Sequence, residues 1–167
     1  PLFIFTDTQI GKANIYRSER SIDFMKASLI TLNKNLLGKL NIIKSNDIIS
    51  TLKDIVKNEK VKGIVINKDY TPYSKERENI LETYCKDNSL EFKCIEDYLL
   101  NGSFILNNRG EHYKKFTPFF NLVIKNKVRE PYTNPSILNK SVKLKLYNTL
   151  TLKSNITLQN IIYMLNT

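Results

Sequence analysis

Apolar and polar positions change period several times along this chain, and each change marks an element. Pro1–Phe5 is a short apolar run that reads as a strand, and Thr6–Glu19 is a polar loop. From Ser21 to about Leu37 the residues Ile22, Met25, Leu29, Leu32 and Leu36 recur at the spacing of one helix face. Leu40–Ile43 is a second short strand. Asn46 or Asp47 can cap a helix running through Val56, with Ile48, Leu52, Ile55 and Val56 inward. Val61–Ile66 reads as a buried central strand. Tyr73–Lys86 follows as a helix, with Thr71 as its cap and Pro72 in the first turn, where a missing N–H costs nothing. Leu90–Ile95 alternates Leu, Phe and Cys with charges, the pattern of a half-exposed strand near an edge. A helical turn at Asp97–Leu100 and a helix near Phe116–Lys127 complete the regular part.

Strands alternating with helices predict an α/β fold, a doubly wound parallel sheet of Rossmann-like type. The loops that follow parallel strands emerge on one side of such a sheet, where ligands bind. Here those loops are Thr6–Gln9, Ser45–Asp47, Asn67–Thr71 and Glu96–Asp97.

A chain of 167 residues suffices for one domain with a sizeable core. No apolar run approaches the roughly 18 residues of a membrane span, and no signal peptide is recognisable. The net charge of +10 invites a nucleic-acid reading. It weakens on inspection, because 21 Lys stand against 5 Arg, together with 20 Asn and 20 Ile. That usage matches A/T-rich coding, and phosphate readers favour the Arg fork. A lysine-rich solvated surface with weak DNA attraction is the expectation. Cys85 and Cys94 have neither metal nor redox spacing, so buried, reduced thiols in a cytoplasmic or nuclear compartment are expected. His112 is the only histidine, which argues against a metal site. Five scattered glycines provide no phosphate cradle. Lys114-Lys115 beside Phe116 could touch phosphate, although a surface pair is the commoner outcome.

The run Asn67-Lys-Asp-Tyr-Thr-Pro-Tyr73, followed by Arg77 and Glu78, resembles the matching segment of the cryptochrome/DNA photolyase family. A second block agrees: Tyr98-Leu-Leu, Ile105-Leu-Asn, then Gly110-Glu-His-Tyr-Lys-Lys-Phe-Thr-Pro-Phe-Phe120. It is similar to the segment that closes the family's amino-terminal α/β domain. Pro1–Phe5 and Ser21–Leu29 are similar to that domain's second strand and following helix. The blocks are collinear over residues 1 to 130.

The resemblance implies an antenna-binding domain over residues 1–130 and a linker over 131–167, leading toward a helical FAD-binding domain that this chain is too short to hold. The family's first strand has no counterpart, so the chain is expected to be truncated at both ends or completed by another polypeptide. Antenna domains bind a folate or deazaflavin chromophore; FAD belongs to the missing domain. With no Trp for the usual electron path, no catalytic residue is assigned, and the parent would be a deoxyribodipyrimidine photo-lyase. The residues carried over to the chromophore pocket are Thr6, Asp7, Gln9, Asp69 and Tyr73. At Tyr73 and Ser74 folate-type relatives carry Asn-Glu, which turns the choice away from folate. For each residue, capping or loop packing is an equally good reading. The partners implied are the missing FAD-binding domain or a complementing polypeptide, with DNA met weakly or through the intact parent and no membrane. A stand-alone α/β binding module, or a relic of a split gene, is the alternative.

Overall fold

The computed structural model describes residues 1–97, 99–102, 105–128, 130, 143–144 and 150–154. The elements are β1 (Leu2–Phe5), α1 (Asp7–Ile10), α2 (Glu19–Asn35), β2 (Asn41–Lys44), α3 (Ile48–Glu59), β3 (Gly63–Asn67), α4 (Pro72–Asp87), β4 (Glu91–Ile95) and α5 (Phe116–Val123). The chain divides into two compact units. The first holds Pro1–Lys60 with the described residues from 143 onward, and the second holds Val61 to residue 133.

The first unit is built on a βαβ crossover. β1 and β2 pair in parallel, with Leu2 opposite Asn41 and Phe5 opposite Lys44. Helix α2 returns the chain between them and packs its apolar stripe onto the pair. Phe5, Leu29, Leu40 and Ile42 form the buried cluster, with Phe3, Met25 and Leu36 against it. Ile22 and Leu29 are buried as their spacing predicts, whereas Leu32 on the same stripe is exposed. Phe3 and Phe5, two apart and so on one face of the strand, meet edge to face at 5.0 Å. Asp47 caps α3 by accepting from Ser50 N–H at 2.8 Å. The predicted polar loop after β1 contains the short helix α1.

The expected carboxyl-terminal linker falls largely outside the described residues. Its described part lies along β2. Leu150 N–H donates to the Ile42 carbonyl at 2.8 Å, on the edge of β2 that faces away from β1. Leu144 N–H reaches Asn41 Oδ1, and Leu152 packs against the cluster around Phe5.

The second unit repeats the scheme with β3, α4 and β4. Gly63 to Asn67 pair in parallel with Glu91 to Ile95. Thr71 Oγ1 caps α4 by accepting from Ser74 N–H, with Pro72 at the first position. Leu81, Tyr84 and Cys85 give α4 its buried face. The expectation of a buried central strand is corrected here. β3 alternates half-buried Ile64 and Ile66 with Val65, which is 60% exposed, so only one of its faces is covered within the unit. Cys94 is likewise exposed rather than buried, although it shares a strand face with Phe92, the one half-buried residue of β4. Both thiols are free. No helix forms at described residues 97, 99 and 100, and Tyr98 lies outside the described set. Helix α5 stops at Val123, four residues before the predicted end.

Among the described residues β1 and β3 each have a strand partner on one side only. In β1 the carbonyls of Pro1 and Phe5 serve β2, which leaves the backbone groups of Leu2 and Ile4 on the open side. In β3 the open groups belong to Gly63, Val65 and Asn67, because Lys62 and Lys68 bond to β4.

Leu37, Lys60 and Ser89 have positive φ near 50°, one after each long helix. After α2 and α4 the bonds Gly38 N–H to Asn33 O and Leu90 N–H to Cys85 O complete Schellman closures. Glycine is preferred at such positions because it has no Cβ to crowd the carbonyl. Lys60→Gly and Ser89→Gly are each expected to raise stability by about 0.5–1 kcal/mol. Urea midpoints check this, and a fall in either would mean that the side chain contributes more than its strain.

Candidate functional site

In the first unit the chemistry gathers at the carboxyl end of the β1–β2 pair. The register that sets Phe5 beside Lys44 also brings the following loops side by side. Asp7 and Asn46 clasp each other across them: Asn46 Nδ2 donates to Asp7 Oδ2 at 2.6 Å, and Asp7 N–H donates to Asn46 Oδ1 at 3.0 Å. Lys44 Nζ pairs with Asp7 Oδ1 at 3.0 Å. The Lys44 ammonium and the Asn46 amide hold the Asp7 carboxyl below its ordinary pKa. Any stability this gives is present above the unfolded carboxylate pKa and is lost as pH falls through the folded one. An NMR titration is expected to place the Asp7 midpoint below that of an ordinary aspartate, and Asn46→Ala is expected to move it upward. An unmoved midpoint would remove Asn46 from the cluster.

Thr6 closes β1, caps α1 and is 5% exposed; its Oγ1 faces the Gln9 N–H in a capping box but makes no close hydrogen bond. Its N–H is met by Gln9 Oε1 at 3.3 Å, from the first turn of α1. Gly11 ends that turn with its N–H on the Asp7 carbonyl. A Cβ on Gly11 would stand 2.4 Å from that carbonyl oxygen, so only glycine fits without a shift. Thr6, Asp7 and Gln9 are therefore brought together as the sequence suggests. Lys44 and Asn46 join them, Lys44 unremarked in the sequence and Asn46 read there as a possible helix cap in the ligand-side loop Ser45–Asp47. The available signal was their position at the end of and just after the parallel neighbour β2, with Lys44 opposite Phe5 and Asn46 two residues further on.

The other two predicted residues belong to the second unit. Asp69 follows β3 and is engaged by its own loop. Its Oδ1 accepts from Tyr70 N–H at 2.6 Å and Thr71 N–H at 3.2 Å, and its Oδ2 accepts from Ser74 Oγ at 2.8 Å. The Ser74 hydroxyl, then the Thr71 and Tyr70 amides, lower its pKa. Glu78 Oε1 accepts from Asp69 N–H and pins the loop to α4. Asp69 thus organises the start of α4. Tyr73 is half exposed, with the Arg77 guanidinium 5.8 Å from its ring centre. Beside them Lys68 Nζ lies 5.7 Å from the Tyr70 ring, and the buried Tyr70 hydroxyl has no partner.

Comparison with known proteins decides the ancestry of this arrangement. The DNA photolyase family matches residues 1–136. The chain belongs to that family. Among solved structures it is similar to the archaeal photolyase of Sulfolobus tokodaii, at 31% identity and a TM-score of 0.61. That match covers 88% of this chain and 36% of the archaeal one, which was solved with two FAD molecules and with the implication of a novel light-harvesting cofactor. A class III photolyase from Agrobacterium tumefaciens shares the fold at a TM-score of 0.69 and 19% identity, over 96% of this chain and 32% of its own. The chain thus spans about a third of the length of these photolyases. No curated protein matches it. In family terms the fold is the mixed α/β architecture of the photolyase amino-terminal domain, with short parallel strands and intervening helices. Among the described residues no helix is long and apolar enough to cross a membrane.

Proposed function

We propose that this chain is the antenna-chromophore-binding α/β domain of a photolyase-type protein whose intact form repairs ultraviolet-damaged DNA with light. The observation that carries the reading is the unpartnered Thr6 Oγ1, buried at the carboxyl end of two parallel strands beside the Asp7–Lys44–Asn46 cluster. A buried hydroxyl without a partner is costly, and a ligand atom would relieve it. When bound, an antenna chromophore supplies light absorption and passes the excitation to FAD. In this chain Thr6 offers a hydroxyl that can donate or accept. Gln9 holds the turn, and Asp7, Lys44 and Asn46 supply a fixed polar rim that needs little reorganisation. Tyr73 and Ser74, in the second unit, stand where folate-type relatives carry Asn-Glu, which favours a flavin-type or deazaflavin-type chromophore over folate.

The open edges of β1 and β3 support a role for further chain. Unpaired strand edges invite pairing, and a strand from the parent or from a complementing polypeptide satisfies them. The FAD-binding domain is the second partner, and DNA is met weakly by this chain or through the intact parent.

Thr6→Val separates the chromophore reading from a structural one. Replacing the hydroxyl by a methyl is expected to change stability by less than about 1 kcal/mol, because relief of the poorly paired hydroxyl offsets the weakened cap of α1. It is also expected to weaken retention of added FAD or deazaflavin at least tenfold, read by near-ultraviolet and blue absorbance after gel filtration. Equal retention by parent and variant, or none by the parent, would sink the antenna assignment.

A further inference from the structure

The segment from Asn107 to Lys127 carries five Lys or Arg and a single acid, Glu111. The structure gathers part of it around an open cavity of about 520 Å³, with Arg109, Glu111, His112, Tyr113, Lys114 and Lys115 in its lining. Asn107 builds the rim: its Oδ1 accepts from the N–H groups of Arg109 and Glu111, and its own N–H donates to the Glu111 carbonyl. Arg109, Lys114 and Lys115 are exposed, and among the described residues none of them pairs with an acid.

Helix α5 begins at this cavity. Its N-cap is Lys115, no side chain caps it, and no acid stands in its first turn. Two lysines therefore precede the positive end of a helix dipole, an arrangement that a bound anion relieves. Next to the cations, Phe116 is 73% exposed and stacks on Phe120 at 5.5 Å with the rings 29° apart. A solvent-exposed aromatic face beside unpaired cations is the combination that holds a base and its phosphate together.

From this geometry we infer that the Asn107–Phe120 surface binds single-stranded nucleic acid. Arg109, Lys114 and Lys115 neutralise backbone phosphates, and Phe116 stacks a base. The open shape suits a continuous strand better than a single enclosed nucleotide. The Lys114-Lys115-Phe116 run, ambiguous in sequence, gains this role from the cavity and the uncapped helix. The site does not depend on the antenna reading.

A fluorescein-labelled dT12 oligonucleotide, titrated with the whole chain by anisotropy at several salt concentrations, tests it. Three phosphate contacts predict a log–log salt slope of about −2. The triple change Arg109→Ala, Lys114→Ala, Lys115→Ala is expected to weaken binding at least tenfold and flatten the slope. Removal of equal charge elsewhere, by Lys53→Ala, Lys57→Ala and Lys75→Ala, is expected to change affinity less than threefold. Phe116→Ala is expected to cost about fivefold or more with the slope retained, as loss of a stacked base requires. Equal losses from the two triple variants would overturn the site in favour of diffuse charge. Absence of oligonucleotide binding, with inorganic pyrophosphate still bound, would overturn it in favour of a small phosphate ligand.

Discussion

Replacing Phe5 by Ala is expected to unfold the first unit at or near room temperature. Phe5 is 3% exposed and sits where β1, α2 and β2 meet, touching the cluster of Leu29, Leu40 and Ile42. Truncating a buried Phe costs about 3–5 kcal/mol from lost transfer energy and the cavity left behind. A whole domain is typically stable by only about 5–15 kcal/mol, and a unit with a two-stranded sheet has few other contacts to absorb the loss. Near-ultraviolet circular dichroism and urea unfolding of parent and variant check this. Leu81→Ala, in the buried face of α4, is the companion case in the second unit, with an expected loss of about 2–5 kcal/mol. A loss below about 1 kcal/mol for Phe5→Ala would mean that the observed cluster is not the core.

Gly11→Ala is expected to remove chromophore capture while leaving the secondary structure largely in place. The added Cβ would meet the Asp7 carbonyl oxygen at 2.4 Å and the Asp7 carbonyl carbon at 3.1 Å, both backbone atoms that cannot swing aside. Relief requires the α1 turn to open, which moves Gln9 off Thr6 N–H and loosens the Asp7–Asn46 clasp. Overpacking of this kind costs about 1–3 kcal/mol. Retention of added flavin should fall at least tenfold, with far-ultraviolet circular dichroism little changed. Full retention in the variant would show that the turn after β1 takes no part in binding.

Much of the fold was legible because local chemistry and tertiary packing agree. The Ile22, Met25, Leu29 spacing, the Asp47 cap, and Thr71 followed by Pro72 each specify a helix without help from the rest of the chain. Burial of β3 was not legible. Gly-Ile-Val-Ile reads the same whether one face or both are covered, and coverage depends on what other chain arrives there. Asp69 shows the same limit at the site. Its place after a strand suggested ligand contact, yet a carboxylate two residues before a helix cap is also well set to collect the N–H groups leading into the helix, here those of Tyr70 and Thr71. Asn46 was hidden for the opposite reason: its partner Asp7 is 39 residues away, and only the parallel register joins them.

The bond from Leu150 to the edge of β2 also sets a schedule. The neighbouring contact between Leu144 and Asn41 closes a sequence gap of 103 residues. On a ribosome adding roughly 5–20 residues per second, the edge of β2 stays bare for on the order of 5–20 s after it is made. For that interval its carbonyls and Ile42 are available to any nascent strand nearby. The first unit therefore matures last although it is translated first, and holding chaperones would matter most while residues 61–150 are being synthesised.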